Sequence, residues 1–247
     1  MTEGDTRHVS DSPVWSKADL HIHSNHSDGL AKIPEIMEYV QHRTDLAVIA
    51  ITDHNTIEGA VFARSLADMY DFEVIVGTEV SSREGHVLGL FVEEDVRPGM
   101  STGDTIRAIE EQGGIAIIAH PFSAKGVFGP LGRNGFADAV SEGAFRALEV
   151  YNSLPFLAWA NSVAAKLAGG HGIALTGGSD AHVIEAVGKG YTLFRGTTAE
   201  DVRTSIEHLE TRAEAERGGL SLAWRYALRY PQIRRMQAWN WERCKAN

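Results

Sequence analysis

Short apolar runs alternate with longer segments of helical periodicity along most of this chain, and this alternation most constrains its fold. Eight runs are rich in Val, Ile and Leu: ADLHIH (18–23), LAVIAI (46–51), EVIVGTEV (73–80), HVLGLFV (86–92), GIAIIAH (114–120), ALEVY (147–151), GIALTG (172–177) and GYTLF (190–194). Such alternation is typical of β/α units around a mostly parallel sheet. We therefore expect an α/β fold whose sheet forms a closed or nearly closed barrel.

Helices are predicted in the segments between these runs. They start near Pro34, Thr56, Ser101 and Leu154, with Ser101 and either Thr56 or Asn55 as N-cap residues. One more helix is predicted in AEDVRTSIEHLE, beyond the last run.

The composition predicts one domain without a membrane span. A chain of 247 residues that is 43% hydrophobic can bury one sizeable core. No apolar run approaches the roughly 20 residues that a membrane span requires. The single cysteine, Cys244, excludes an internal disulfide framework, and the N-terminus lacks the apolar core of a signal peptide. These features favour a cytoplasmic protein.

Charge divides the chain into an acidic body and a basic tail. The formal net charge of −10 argues against a protein that coats nucleic acid in general. Residues 217–247 carry +6, which leaves −16 for residues 1–216. We therefore predict an N-terminal extension (1–17), a barrel domain (18–216) and a basic, aromatic C-terminal tail (217–247).

The tail allows two interpretations. Its arginines are interleaved with aromatic residues, namely Trp224, Tyr226, Tyr230, Trp239 and Trp241, a composition that can bind nucleic acid, an acidic partner or a membrane surface. The alternative is a helix whose aromatic side chains pack on the barrel or on a second copy of the chain, while its arginines pair with the acidic body. Pro231 is expected to break the segment into two pieces.

Polar residues stand where the apolar runs stop. His21 and His23 close the first run, and the same position in later runs is taken by Asp53, His54, Glu79, His120, Asp180 and His182. In parallel β/α architectures the C-terminal ends of the strands form the active-site face. His86 begins its run instead, so this strand is expected to be antiparallel or to enter the site from its other end.

The HxH pattern at the end of the first strand points to a metal ion. Residues two apart on a strand share a face, so the imidazoles of His21 and His23 point to the same side. Histidines accompanied by Asp and Glu, without cysteine, suit Zn, Fe or Mn better than a structural thiolate zinc site. For this motif taken alone, the alternative is a pair of buried core histidines whose hydrogen bonds are all made within the protein.

The ordered series DLHIHSNHSDG (19–29), ITDHNT (51–56), GTEVSSREGH (77–86), AHPF (119–122) and GSDAH (178–182) resembles the polymerase and histidinol phosphatase (PHP) family of metal-dependent phosphoesterases. The resemblance covers about residues 18–195. It implies a distorted (β/α)7 barrel with the metal site at the C-terminal strand ends. It also implies two or three divalent metal ions, a bridging hydroxide as the nucleophile, and hydrolysis of phosphate esters.

The resemblance also implies a set of metal ligands. The first ion would take His21, His23 and Asp180, and Glu79 would bridge it to the third ion. The third ion would add His86 and His120. The second would take His54, His182 and a ligand from SNHSDG, for which Asp28 is favoured and His26 is the alternative.

Asp19 and Asp53 lie beside candidate ligands in the sequence. Either they fix the tautomer of a ligating histidine, or they are ordinary capping or strand-end residues.

The predicted chemistry depends on charge. Three carboxylates would repel phosphate, whereas three divalent ions would turn the site into an anion trap. Asp180 or His182 would also handle a proton for the leaving alcohol, although ligation alone explains both residues.

Four residues are candidate substrate contacts. The loop SAKGVFGPLGRNG (123–135) is either a mobile lid that clamps phosphate through Lys125 and Arg133, or a solvated surface loop. Asn152, which follows EVY, and His26 are candidates at the mouth of the site.

The function predicted from these residues is a metal-dependent phosphoesterase. Its substrate would be a small phosphorylated metabolite, a nucleotide or an oligonucleotide end. Two alternatives stay open: a carboxylic or carbamic ester hydrolase with the same site, and a non-catalytic metal-binding domain that engages a partner, or a second copy of the chain, through its tail.

Overall fold

The computed structural model describes residues 14–129, 133–154, 156–216 and 220–246, and within these ranges the side chains of residues 133–134, 220–221 and 238–246 lie outside the description. The strands are β1 (Trp15–Ile22), β2 (Leu46–Ile51), β3 (Glu73–Ser81), β4 (His86–Leu90), β5 (Ile115–Ile118), β6 (Ala147–Asn152), β7 (Ala174–Gly178), β8 (Gly190–Arg195) and β9 (Arg212–Ala215). The helices are α1 (Ile33–Arg43), α2 (Glu58–Leu66), α3 (Thr102–Glu110), α4 (Arg133–Ser141), α5 (Ala158–Ala168), α6 (Ala199–Glu207) and α7 (Leu220–Ala246).

The strands form one nearly closed, barrel-shaped sheet in the order β7-β6-β5-β4-β3-β2-β1-β8-β9. The sheet closes on itself where Ile22, at the end of β1, forms a parallel bridge with Ala181, just after β7. The backbone N–H of His23 donates to the carbonyl of Ala181 (3.0 Å) at the same place. Adjacent strands are parallel except at β4 and β8, each of which is antiparallel to both of its neighbours.

The strand pattern refines the sequence prediction. The antiparallel direction expected for the strand that begins at His86 is confirmed. The described residues contain nine strands rather than seven, because β8 and the short β9 extend the sheet beyond β1. Trp15, Ser16 and Lys17, assigned to an N-terminal extension, belong to β1 because their backbones pair with β8.

The helix starts agree with the sequence in part. Ser101 is the N-cap of α3, and its side chain accepts the backbone N–H of Asp104 (3.1 Å), as predicted. The N-cap of α2 is Ile57 instead of Thr56 or Asn55. Residues 133–135, the last part of the expected loop, begin α4 (Arg133–Ser141). The helix expected to start near Leu154 is α5, which starts at Ala158.

A β-bulge in β1 aims the HxH motif. Asp19 pairs with Ile49 and Ile22 pairs with Ile51, so β1 has one more residue than β2 over this stretch. As a result Leu20 packs inside the barrel, whereas Ile22 packs outside against α1 and α2. Bulges re-aim side chains in this way next to functional sites.

The barrel interior is filled at one end by small and branched apolar residues. It contains Ala18, Leu20, Val48, Ala50, Ile75, Leu88, Leu90, Ile117, Ala119, Ala147, Ala174 and Phe194, together with Val202 and Ile206 of α6. The histidines and carboxylates of the motifs gather at the opposite edge of the strands. The apolar plug therefore leaves one end of the barrel for a polar site.

Helix α7 packs on the barrel. Leu222, Tyr226 and Ile233 are buried in the core cluster that contains α1 and α2. Arg225 and Arg229 each donate to Glu185 (2.6 and 2.7 Å). These contacts match the interpretation in which the tail packs on the body and pairs its arginines with acidic groups.

The predicted break at Pro231 is wrong. Helix α7 continues through this residue. A proline removes one helical N–H donor, but Tyr226 and Ile233, one on each side of Pro231, are both buried against the barrel and hold the two halves in line. The side chains of Trp239 and Trp241 lie outside the described ones.

Within the described residues, no helix is both long enough and apolar enough to cross a membrane.

Tyr226 links α7 to the loop that carries Asp180 and His182. Its hydroxyl accepts the backbone N–H of His182 (3.2 Å) and donates to the carbonyl of Asp180 (3.3 Å). We expect Tyr226→Phe to lower the free energy of unfolding by about 1–3 kcal/mol, because a buried N–H loses its acceptor. Urea denaturation measures this, with Tyr230→Phe, whose ring is 57% exposed, as the control. Equal stabilities of the two variants would contradict the assigned link.

Candidate metal centre

The nine candidate ligands come together at one edge of the barrel. They are His21, His23, Asp28, His54, Glu79, His86, His120, Asp180 and His182. Among the described residues, these nine form four overlapping groups whose donor atoms lie within 4.8 Å of one another. His86 reaches the same edge because β4 is antiparallel, so the start of β4 lies beside the end of β3.

Two carboxylates flank the imidazoles of His21 and His23. His21 Nε2 and His23 Nε2 are 3.2 Å apart. Glu79 Oε2 lies 3.5 and 3.2 Å from these two nitrogens, and Asp180 Oδ1 lies at the same two distances. Donors held tetrahedrally at about 2.1 Å from an ion would be about 3.4 Å apart. The two imidazoles therefore have the spacing of metal ligands with each other and with each of the two carboxylates.

A second group surrounds Asp28. His182 Nε2 lies 3.0 Å from Asp28 Oδ2, His54 Nε2 lies 3.6 Å from the same oxygen, and His23 Nδ1 lies 3.4 Å from Asp28 Oδ1. Asp28, and not His26, joins the cluster. The His26 side chain is 30% exposed and faces Glu58 at 3.7 Å.

The third group centres on the other face of Glu79. Its Oε1 lies 2.7 Å from His86 Nδ1 and 3.0 Å from His120 Nε2. His120 also approaches Asp180 Oδ2 at 3.9 Å, and His54 Nδ1 approaches Glu79 Oε2 at 3.1 Å. Glu79 thus lies between the first and third groups, in the position that a bridging carboxylate would need.

The donor set fits divalent metal ions. His54 Nδ1 is buried without a hydrogen-bond partner among the described residues, although it faces a carboxylate. A buried polar atom without a partner is costly, and a cation held between the imidazole and the carboxylate would satisfy both. Nitrogen and carboxylate donors without thiolates suit Zn, Mn or Fe.

Three imidazoles are oriented by hydrogen bonds on the side away from the cluster. His21 Nδ1 lies 3.0 Å from Glu149 Oε1, His182 Nδ1 lies 2.9 Å from the carbonyl of Asp180, and His120 Nδ1 lies 3.0 Å from Ser123 Oγ. A proton on each Nδ1 leaves the Nε2 lone pair pointing into the cluster. Metal-binding histidines are typically fixed in this manner.

Glu149 is a functional residue that the motifs do not reveal. Besides holding His21, its Oε2 accepts the backbone N–H of His120 (2.8 Å) and the Asn152 amide (3.0 Å). Gly178 packs so closely that an added Cβ would lie 2.6 Å from His21 Cβ and 2.7 Å from Glu149 Oε1. One signal was available: Glu149 is a carboxylate inside the buried apolar run ALEVY.

Asn152 differs from its predicted place at the mouth of the site. It is buried, and its amide donates to Asp180 Oδ2 and Glu149 Oε2 (3.0 Å each) while its oxygen accepts the Leu154 N–H. Asn152 therefore orients the carboxylate of Asp180 from its buried side instead of facing a substrate.

The structure describes the side chain of one of the two remaining candidate substrate contacts. The Lys125 side chain is exposed, while its carbonyl accepts the backbone N–H of His86 (3.1 Å). The side chain of Arg133 lies outside the described ones.

Asp19 and Asp53 organise backbone around the site. Asp19 accepts the backbone N–H groups of His21, Ser179 and Gly188, and Asp53 accepts hydrogen bonds from Ser24 and Ser27. Burial raises the pKa of Asp19 to about 6. Both carboxylates therefore anchor loops around the site, whereas the carboxylate that holds the imidazole of His21 is that of Glu149.

Opposite charges stabilise one another in the cluster. Burial raises the pKa of Glu79, but the neighbouring His86, His54 and His21 outweigh it and hold that pKa well below its usual range. Burial lowers the pKa of His23, but the carboxylates around it outweigh burial and raise the pKa to about 10. For His54, burial dominates and lowers the pKa to about 4. The carboxylates are therefore ionised and ready to bind cations.

Two candidate ligands lie on strained backbone. His120 has φ +27° and Asp180 has φ +51°, in the left-handed region that residues with a Cβ rarely adopt. Such conformations cluster at functional sites and persist where the surroundings enforce them. Here the backbone N–H of His120 is held by Glu149, and the carbonyl of Asp180 is held by Tyr226.

Helix α7 also reaches the cluster. Gln237 Nε2 donates to Asp28 Oδ2 at 2.9 Å, across 209 residues of sequence. A segment predicted as a tail therefore contributes a wall of the site.

Comparisons with known proteins agree with this geometry. The family model described as PHP domain matches residues 19–130, and the model described as PHP-associated matches residues 158–211. An uncharacterised protein of Methanocaldococcus jannaschii, MJ1587, is 42% identical over 118 residues, which are 43% of this chain and 68% of that protein. These matches confirm the resemblance that the motifs indicate.

Two further proteins are similar over different extents. A phosphoribosyl 1,2-cyclic phosphate 1,2-diphosphodiesterase of Eggerthella lenta is 38% identical over 82 residues, 31% of each chain. The crystal structure of a two-domain protein from Bacteroides vulgatus, which contains a predicted PHP-like metal-dependent phosphoesterase, superposes with a TM-score of 0.66 at 19% identity, covering 83% of this chain and 66% of that one. The second likeness supports the barrel fold.

The position of Glu79 between two donor groups predicts a contrast between two variants. Glu79→Gln removes the charge shared by both groups, so we expect it to lower bound metal by more than about one equivalent. His120→Ala removes one donor from one group, so we expect a loss of about one equivalent. Elemental analysis of the purified variants measures the difference, and equal losses would exclude a bridging role for Glu79.

The raised pKa of His23 predicts that metal binding releases protons. In the metal-free protein the pKa of about 10 keeps His23 protonated near neutral pH, whereas a ligand must be neutral. Metal affinity should therefore rise as pH increases from roughly 6 to 9. Titration of the metal-free protein against a chromophoric chelator at several pH values tests this. Calorimetry in buffers of different ionisation enthalpy counts the protons, and a pH-independent affinity would contradict the prediction.

Proposed function

Because the chain belongs to the PHP family, we propose that it is a metal-dependent phosphoesterase. The proposed substrates are a small phosphorylated metabolite, a nucleotide or an oligonucleotide end. Support for phosphate esters comes from the Eggerthella lenta relative, whose name describes a phosphodiesterase, although the match spans about a third of that protein.

One observation carries the proposal. Six histidines and three carboxylates from distant parts of the chain converge in overlapping groups with metal-ligand spacing. Burying this many ionisable groups is costly unless they are neutralised. Bound cations neutralise the carboxylates and leave positive charge for an incoming phosphate.

The ions would be held by the nine donors, two or three in number, with Zn, Mn and Fe as the candidates. When bound, they supply positive charge for the phosphoryl oxygens and a hydroxide nucleophile near neutral pH.

The protein's own contribution is orientation and exclusion of water. Glu149 and Asn152 hold His21 and Asp180 from below, so their donor atoms need little rearrangement. The side chains of His21, His23, Asp28 and Glu79 are almost completely buried, so bulk solvent does not reach the base of the centre. A pre-organised site of low polarity strengthens electrostatic interactions with the reacting group.

His182 and Asp180 are the candidates for proton handling. His182 is slightly exposed, its Nδ1 is engaged by the carbonyl of Asp180, and its Nε2 faces Asp28. The carboxylates of Asp28 and Asp180 help to raise its pKa against the effect of burial. A histidine in this place can accept or return a proton at Nε2 when that atom is not ligating.

Turnover of a generic aryl phosphate by the full chain tests the function. We expect hydrolysis after reconstitution with Mn or Zn and loss of activity with a chelator. Asp180→Asn should lower kcat by more than about 100-fold, because it removes a carboxylate donor from the group predicted for the first ion. Asp68→Asn, at an exposed position, is the matched control and should leave kcat unchanged.

The proposal fails if no phosphate ester is hydrolysed with any of the three metals. Hydrolysis of carboxylic or carbamic esters in place of phosphate esters would identify the alternative hydrolase, and metal binding without any turnover would identify a binding module.

A further inference from the structure

A cavity of about 570 Å³ lies between α7 and the loop after β6. It is lined by Leu154, Phe156, Leu157, His182, Tyr226, Ala227, Tyr230, Ile233 and Gln237. Its volume lies within the range of cavities that bind small organic molecules, roughly 300–1,000 Å³.

The cavity borders the candidate metal centre. His182 lines the cavity, and its Nε2 lies 3.0 Å from Asp28 Oδ2. Gln237 also lines it, and donates to the same oxygen at 2.9 Å. Three other cavities of about 560, 840 and 780 Å³ are lined by none of the nine candidate ligands.

The lining of the cavity is chemically unlike the metal centre. Leucine, isoleucine, phenylalanine and tyrosine side chains dominate it, and none of its described lining residues is an acid, a lysine or an arginine. A phosphate group would lose its hydration here without a charged partner, so it would bind poorly. An apolar ring would gain contacts with Tyr226 and Tyr230, whose faces and edges favour aromatic neighbours.

The polar groups at the cavity are His182, Gln237 and the two tyrosine hydroxyls, of which the Tyr226 hydroxyl is engaged by the backbone of His182 and Asp180. Gln237 donates one amide proton to Asp28. Its second amide proton is a donor and its carbonyl oxygen an acceptor for a ligand. A few polar groups in an apolar cavity typically fix the orientation of a ligand.

We propose that this cavity binds the alcohol part of the substrate and that this part carries an aromatic ring. The phosphate would lie at the metal centre, and the ring would lie between Tyr230 and the loop after β6. The proposal rests on the proposed phosphoesterase function and narrows its substrate class to phosphate esters of ring-bearing alcohols, including aryl and nucleoside esters. Helix α7 then supplies substrate selection that the barrel by itself lacks.

A comparison of three substrates tests the proposal on the full, metal-loaded chain. Three phosphate monoesters are compared: 2-naphthyl phosphate, adenosine 5′-phosphate and glycerol 3-phosphate. We expect kcat/KM for adenosine 5′-phosphate, whose leaving group is an alkyl alcohol like that of glycerol 3-phosphate, to exceed kcat/KM for glycerol 3-phosphate by about 10-fold or more, since apolar pocket contacts contribute discrimination of this order.

Two variants alter the cavity in opposite ways. Tyr230→Ala removes an aromatic wall, and Ala227→Trp fills the space. Both should lower the ratio of kcat/KM for adenosine 5′-phosphate to kcat/KM for glycerol 3-phosphate about 10-fold, because the ring-bearing ester loses more contacts in the cavity than the glycerol ester does. Leu228→Ala is the matched control, because Leu228 is 74% exposed on the same helix and does not line the cavity. It should leave the ratio unchanged.

A binding measurement separates the two proposals. Fluorescence titration with 2-naphthol, which lacks phosphate, should show saturable binding that both cavity variants weaken and Leu228→Ala does not. Binding without turnover of any phosphate ester would sink the phosphoesterase function and leave an aromatic site. The inference about the cavity would be overturned if phosphate esters are hydrolysed but neither cavity variant changes the ratio of their kcat/KM values. Absence of naphthol binding would also overturn it.

Discussion

Glu79 is a buried carboxylate that five imidazoles surround. Its oxygens lie within 3.5 Å of nitrogens from His21, His23, His54, His86 and His120. Such a buried charge is tolerated only with compensating positive charge. Cations or imidazolium groups must therefore be present whenever the protein is folded. The fold around Glu79 can be understood as the means of bringing these partners to one point.

The backbone does this with irregularities in otherwise regular strands. The bulge in β1 separates Leu20 from Ile22, and a second bulge in β6 follows Glu149. Together they turn polar side chains toward the cluster without exposing the apolar side of the same strands. The antiparallel direction of β4 serves the same purpose for His86. The resulting backbone strain lies at His120 and Asp180. Hydrogen bonds from neighbouring elements hold their positive φ angles.

Helix α7 connects the stability of the fold with the site. It buries Leu222, Tyr226 and Ile233 against the outside of the barrel, and the same face supports the backbone of Asp180 and His182 and the side chain of Asp28. Substitutions in this helix can therefore change the metal centre although the helix carries none of the nine candidate ligands. A cavity formed on one side by this helix is also well placed to respond to the organic part of a ligand.

The sequence alone was sufficient for the features that depend on local periodicity and residue chemistry. Alternating apolar runs predicted the barrel-shaped α/β sheet, and His21, His23, Glu79 and His120 could be placed at strand ends because strands of one direction end at a common edge. Only the tertiary structure decided the features that depend on contacts between distant segments. Asp28 rather than His26 joins the cluster, Asn152 lies beneath Asp180, Glu149 holds His21 across 128 residues, and α7 continues through Pro231 to reach Asp28. The physical reason is that periodicity specifies which side of an element a residue faces, whereas bulges, burial and packing between elements select the partner that it meets there.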